Sequence, residues 1–275
     1  MIVAAAGFTI VNMGVKYLGH MSAFQLVFFR AIGSAICCYI YLLKARIPII
    51  GNNQRLLILR AVVGLISITL FFRALQIMPF ASAVALRYLS PLFATGLAVV
   101  FLHERVKPVQ WFFVALAFGG VLLIKGFDPR ISLIALLIIL TSAFFTGMVY
   151  MLIRKMGTSE HPVVIVNYFM SISAVVAGLL AIPGWIMPHG VEWLAVATMG
   201  LFGFGAQLLM TKALQMAEAN AVTPFKYTEV LFSIFVGWWI FGEYMTAAGF
   251  LGIAVIMISL IAIIRIKRAS RSEHR

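Results

Sequence analysis

Charge is what this sequence has least of. Among 275 residues only 11% are charged and 63% are hydrophobic, with a mean hydropathy of +1.08, whereas soluble domains carry roughly a quarter charged residues. That excludes an ordinary water-soluble fold. Asp128 is the single aspartate, and the five histidines, His20, His103, His161, His189 and His274, all fall in predicted loops or the tail. No Ser/His/Asp set, paired aspartates, metal-ligand cluster or phosphate-cradling glycine loop can be assembled inside the membrane, which argues against an enzyme and against a metal or other cofactor. The only cysteines, Cys37 and Cys38, are adjacent within one apolar run, so they can neither staple distant segments nor supply a four-ligand zinc site. A basic n-region and a small-residue cleavage site are missing at the N-terminus, so the apolar pattern from Ile2 reads as a first, shortened membrane helix.

What is abundant is apolar runs long enough to cross a bilayer core of about 30 Å. Ten candidate spans emerge: about Ile2 to Leu18, Ala23 to Leu43, Leu56 to Ile77, Ala81 to Leu102, Pro108 to Lys125, Ser132 to Ile153, Val163 to Ile182, Glu192 to Met216, Ala219 to Phe241 and Thr246 to Ile264. Pro48, Gly51, Asn52, Asn53, Pro79, Pro129, Pro162, Pro183 and Gly190 supply turn chemistry between them. The net charge of +13 sits mostly in these connections and the tail, where orientation signals belong, and no nucleic-acid-binding signature accompanies it. With the N-terminus cytoplasmic, inner loops and tail hold thirteen Lys and Arg, among them Arg55 and Arg60, against three outside: Lys16, Lys125 and Arg130. Both termini are therefore expected in the cytoplasm of a bacterial cell whose inner membrane the chain crosses.

The chain also repeats itself. One constant shift along the sequence lays Arg73-Ala-Leu-Gln76 on Lys212-Ala-Leu-Gln215, Arg87-Tyr88 on Lys226-Tyr227, and Glu104 on Glu243. Two halves, 1–126 and 127–275, follow. Each contains five spans, an odd number, so the second enters the membrane upside down. The expected fold is an all-α integral membrane protein of ten transmembrane helices in two inverted five-helix repeats around a central cavity, the design by which transporters obtain two packings of one protein, each open to one side.

Several of these stretches also resemble a known family. Val15-Lys-Tyr-Leu18, Phe28-Phe-Arg30, Phe72-Arg-Ala-Leu75, Tyr88-Leu-Ser-Pro91, Leu102-His-Glu-Arg105 and Thr223-Pro-Phe-Lys-Tyr227, in this order and duplicated layout, resemble the EamA-type ten-helix carriers of the drug/metabolite transporter superfamily. The resemblance implies a basket whose cavity is lined by spans one to four and six to nine, with five and ten outside. It also implies metabolite transport, by relatives that include amino-acid exporters and an S-adenosylmethionine uptake subgroup.

Charges inside spans cost at least about 2.5 to 3.5 kcal/mol at the bilayer centre, so each needs a reason. The candidates for substrate binding or gating are Arg30, Arg73, Gln76, Arg87, Tyr88, Lys212, Gln215, Lys226, Tyr227 and Glu229. For the basic residues the alternatives are snorkelling or bonds to helix carbonyls and lipid phosphates. Glu229, three residues after Lys226, is read as neutralising it, contacting a substrate amine or carrying a coupling proton. Glu104 and Glu243 precede helices and are read as structural. Pro91 and Pro224 are expected to bend their spans. The functional reading is a secondary transporter of a small polar or anionic metabolite, an amino acid or related compound, working by alternating access; a channel, a scaffold or a membrane-embedded enzyme is the alternative. Its partners are that small-molecule substrate and membrane lipids, with a homodimer left open and nucleic acid not expected.

Overall fold

A computed structural model describes residues 1–102, 108–216 and 227–272, and among them every regular element is helical. The helices are α1 (Ile2–Tyr17), α2 (Ala23–Lys44), α3 (Gln54–Ile77), α4 (Phe80–Arg87), α5 (Ser90–Leu102), α6 (Pro108–Phe127), α7 (Leu133–Met156), α8 (Pro162–Ala181), α9 (Glu192–Met216), α10 (Thr228–Trp239) and α11 (Ala247–Ser272). Seven described segments are long and apolar enough to cross a membrane, while Ile2–Tyr17, Thr228–Trp239 and Ala247–Ile263 are shorter apolar helices. Each of the ten expected spans overlaps one of these described segments.

Local chemistry explains the boundaries. Ser22, Asn53 and Ser132 each accept a hydrogen bond from a backbone N–H in the first turn of α2, α3 and α7, which satisfies a donor the helix itself leaves unpaired. The fourth span is broken, not merely bent. Pro91 has no N–H, and its ring excludes the carbonyl of residue 87 from a regular turn. The chain therefore tightens at Tyr88 and Leu89, whose N–H groups reach back three residues to Ala85 and Leu86, and α5 restarts at Ser90.

Polarity is arranged inside out. Leu43, Leu122, Leu133, Ile134 and Leu201 are exposed, whereas Asn12, Arg30, Arg60, Ser67, Asn167, Gln207 and Glu229 are buried. The apolar outer faces suit lipid, and the polar groups turn to the centre. α1 packs on α9, α3 on α7, α2 on α8 and α6 on α11. Where α2 crosses α9 the backbones touch: a Cβ on Gly33 would lie 2.8 Å from the Cα of Gly200, and Ser34 donates to the Gly200 carbonyl at 2.8 Å. Such approach needs residues without side chains.

The connections are clamped. Between α6 and α7, Arg130 makes a two-pronged pair with Asp128 at 2.9 and 2.8 Å and donates to the Tyr244 carbonyl. The guanidinium holds the Asp128 carboxyl below the usual carboxylate range. Glu243 accepts from the Phe80 N–H at 2.6 Å and pairs with Lys16 at 2.9 Å. It is a carboxylate at a helix N-terminus, as expected, but the helix is α4 and not the one that follows it in sequence. Lys16, an outer-loop charge by its sequence pattern, belongs to the last turn of α1.

Candidate substrate cavity

At the centre lies a cavity of about 60 Å³. Asn12 (α1), Arg30 (α2), Arg60, Gly64, Ser67 and Phe72 (α3), Arg87 (α4), Tyr88, Ser90 (α5), Thr146 and Tyr150 (α7), Phe169 (α8), Gln207 (α9) and Glu229 (α10) are among its lining residues, and among the described residues none of the lining comes from α6 or α11. A larger crevice of about 460 Å³ runs along α10 and the start of α11. It is walled by Leu231, Ile234, Phe235, Trp238 and Phe250, with Arg130 and Glu243 as its charged members. Having few converging polar groups, it is the poorer place for a polar solute.

Two features of these helices build the polar end of the cavity. The break after Arg87 puts Tyr88 at mid-span, and α10 begins at Thr228, so Glu229 lies in its first turn. Glu229 is 5% exposed. Its Oε1 accepts from Asn12 Nδ2 at 2.9 Å and its Oε2 from the Tyr88 hydroxyl at 2.5 Å. A carboxylate that accepts such donors is held in place. The rings of Tyr88 and Tyr227 meet edge to face, 5.4 Å between centroids, and the Tyr227 hydroxyl is buried without a hydrogen-bond partner among the described residues. The shift that carries Arg87 onto Lys226 also carries Ser90 onto Glu229. In the sequence alignment a hydroxyl thus stands opposite a carboxylate.

The other end is cationic. Arg30 is 3% exposed; its Nη2 reaches Gln207 Oε1 at 3.3 Å, and its guanidinium carbon lies 6.0 and 5.9 Å from the ring centroids of Phe72 and Phe169. Arg87 stacks on Phe71, 3.9 Å from guanidinium carbon to ring centroid. Arg60, 1% exposed, lies 4.1 Å over Phe169. Its sequence neighbours group it with the inner loops. It lies inside the span expected at Leu56 to Ile77 and is a residue of α3 proper, on the same face as Gly64 and Ser67. Twelve basic residues then remain on the side assigned to the cytoplasm.

Of the ten residues selected from sequence, Arg30, Arg87, Tyr88 and Glu229 line the cavity, and Tyr227 packs against it through Tyr88. Arg73 is exposed and bonds Gln76 at 3.4 Å. Gln76 donates to the Met21 carbonyl at 2.7 Å, and Gln215 to the carbonyls of Gly157 and Glu160 at 2.5 and 2.8 Å. Lys212 is half-buried near His161, whose pKa is lowered by burial and by that lysine's charge. None of these last four lines the cavity. Lys226, Pro224 and Glu104 lie outside the described residues.

A polytopic helical membrane protein with polar side chains converging on a central cavity has an architecture suited to a solute transporter. The chain belongs to the EamA-like transporter family, whose model matches residues 1–126 and 133–265. It is 26% identical over 270 residues to the pseudopaline exporter CntI of Pseudomonas aeruginosa, covering 97% of this chain and 95% of that one. It is 26% identical over 271 residues to the S-adenosylmethionine uptake transporter of Rickettsia felis, covering 94% and 88%. A solved crystal structure superposes with a TM-score of 0.68 at 18% identity over 98% of each chain, a likeness of fold. The resemblance to drug/metabolite transporters is thus confirmed, and the family and these relatives are transporters, not enzymes.

Proposed function

We propose that the chain is a secondary carrier, built of two inverted halves, 1–126 and 127–275, that moves a small polar solute bearing an anionic group by alternating access. Amino acids and related metabolites come first among substrates. The membrane is a bacterial inner membrane, with both termini in the cytoplasm. The observation that carries this reading is the central cavity itself, where buried guanidinium groups and a buried carboxylate converge from helices of both halves.

The packing supports the inversion. Advancing every helix by five spans turns α3 on α7 into α9 on α1, α2 on α9 into α8 on α3, and α1 on α3 into α7 on α9, and each of these contacts is present. A detail at atomic level agrees: Gln76 binds the Met21 carbonyl and Gln215 that of Glu160, and the shift that lays Gln76 on Gln215 lays Met21 on Glu160. The family match also falls into two segments that divide near residue 127. One relative is named as an exporter and another as an uptake transporter, so the direction of transport is not inherited from the family.

The test is counterflow. A thermal-shift screen against metabolites identifies a stabilising ligand; proteoliposomes loaded with that compound unlabelled and diluted into labelled compound should accumulate label transiently above equilibrium. Flux without an overshoot, rising linearly with concentration, would instead make the protein a channel.

A further inference from the structure

Arg60 brings a second buried guanidinium to the cavity, and its surroundings leave it unfinished. Nε and Nη1 of Arg60 and Nε of Arg30 are buried without hydrogen-bond partners among the described residues. Buried donors are nearly always paired, because a lost hydrogen bond to water is otherwise uncompensated. The attraction of Phe169 for the guanidinium offsets part of this through the negative face of its ring, but a ring face takes no N–H hydrogen bond of the strength a charged oxygen would.

Both groups address the same place. The guanidinium carbons of Arg30 and Arg60 lie 5.9 and 4.1 Å from the centroid of the one Phe169 ring, so a single aromatic ring sits within reach of both cations. Space is kept for each by a glycine. A Cβ on Gly64 would meet Arg60 Nη1 at 3.1 Å, and one on Gly203 would meet Arg30 Nε at 3.3 Å. The repeat lays Gly64 on Gly203, and it lays Arg30 on Phe169 itself. Matching places of the two halves thus hold a cation and the ring on which the second cation rests, and the cationic end is one-sided in a symmetric frame.

We propose that Arg30 and Arg60 form a single oxyanion subsite, taking the carboxylate or phosphoryl group of the transported solute between their guanidinium forks above the Phe169 ring. The inference rests on the transporter reading and adds the group by which the substrate is recognised. Two guanidiniums each offer planar, paired donors that match the oxygens of either anion, and an oxyanion placed between them would satisfy the three open donors while cancelling their mutual repulsion. The Asn12–Tyr88–Glu229 cluster remains for a different part of the solute or for a proton.

The experiment is thermal unfolding of the purified protein in acetate, succinate or inorganic phosphate, with chloride at matched ionic strength as reference and an anionic phospholipid as a fourth arm. At least one oxyanion should raise the melting temperature saturably. Arg60→Gln and Arg30→Gln should each weaken that apparent affinity at least about tenfold, about 1.4 kcal/mol, and Arg60→Lys, which keeps the charge but loses the fork, by an intermediate factor. A response to carboxylates identifies a carboxylated solute; one confined to phosphate and the phospholipid identifies a phosphoryl group; either supports the subsite. The proposal is overturned if no oxyanion stabilises the wild type, or if Arg60→Gln binds as the wild type does. Should that variant fail to fold, an unchanged affinity in Arg60→Lys overturns it equally. Counterflow that persists while Arg60 proves indifferent to oxyanions would remove this subsite and leave the carrier; oxyanion binding without counterflow would do the reverse.

Discussion

Glu229→Leu is expected to abolish net transport, with a loss of at least about 100-fold, which corresponds to about 2.7 kcal/mol of transition-state stabilisation. The leucine removes the acceptor for both Asn12 and the Tyr88 hydroxyl, and losing an acceptor in a buried site costs about 1 to 3 kcal/mol. Those donors come from α1 and from the break between α4 and α5, so the carboxylate joins elements of the first half to α10 of the second. Glu229→Gln separates structure from protonation. The amide still accepts one hydrogen bond and has a similar shape, but it cannot release a proton. If Glu229 carries a coupling proton, Glu229→Gln should lose the dependence of uptake on a pH gradient while keeping measurable counterflow. A Glu229→Gln protein that still concentrates solute with an unchanged pH profile would remove Glu229 from the coupling mechanism.

Gln76→Leu and Gln215→Leu should perturb the protein from opposite sides. Gln76 ties the end of α3 to the α1–α2 connection through the Met21 carbonyl, and Gln215 ties α9 to the α7–α8 connection through Gly157 and Glu160. Gln76→Leu frees one part-buried carbonyl and Gln215→Leu frees two, each at a cost of about 1 to 3 kcal/mol, enough to shift a two-state equilibrium roughly fivefold or more where the clamp forms in one state only. With Cys37 and Cys38 replaced and a single cysteine set at Thr146 in the cavity, an impermeant thiol reagent reads the result. Gln76→Leu should speed labelling from the outer side and Gln215→Leu from the inner side. Faster labelling from one and the same side in both variants would break the equivalence of the two clamps.

These clamps also mark where sequence stops being informative. The repeat brings Gln76 and Gln215 out as a pair, but spacing alone does not tell whether an amide near a helix end faces the lumen or folds over a neighbouring turn. Both do the second. Glu229 is legible as a deep carboxylate, whereas its donors come from residues 12 and 88, contacts that only the folded chain creates. Pro91 is legible as a bend because the missing N–H is a local fact, and the full restart at Ser90 is its consequence. Arg60 escapes notice for a simple reason: it lies near the start of its expected span, close to Arg55, and its charge is counted with the inner loop. Its helical spacing to Gly64 and Ser67 is the available signal. Phe169, the ring beneath it, looks like any other apolar residue of a span until the tertiary structure places a guanidinium on its face.

The alternating-access mechanism proposed here rests on two halves of opposite orientation, and the side of the membrane reached at two matching connections tests that most directly. Asn53 caps α3 and Glu192 opens α9, and the shift that lays Gln76 on Gln215 lays Asn53 on Glu192. Single cysteines at Asn53 and at the neighbouring, exposed Gly190 of the second connection, in a background without Cys37 and Cys38, can be labelled by an impermeant reagent in intact cells and again in inverted membrane vesicles. Inverted halves predict that Gly190 reacts in intact cells and Asn53 only in the inverted vesicles; reaction of both from the same side would contradict the inversion and the alternating-access mechanism built on it.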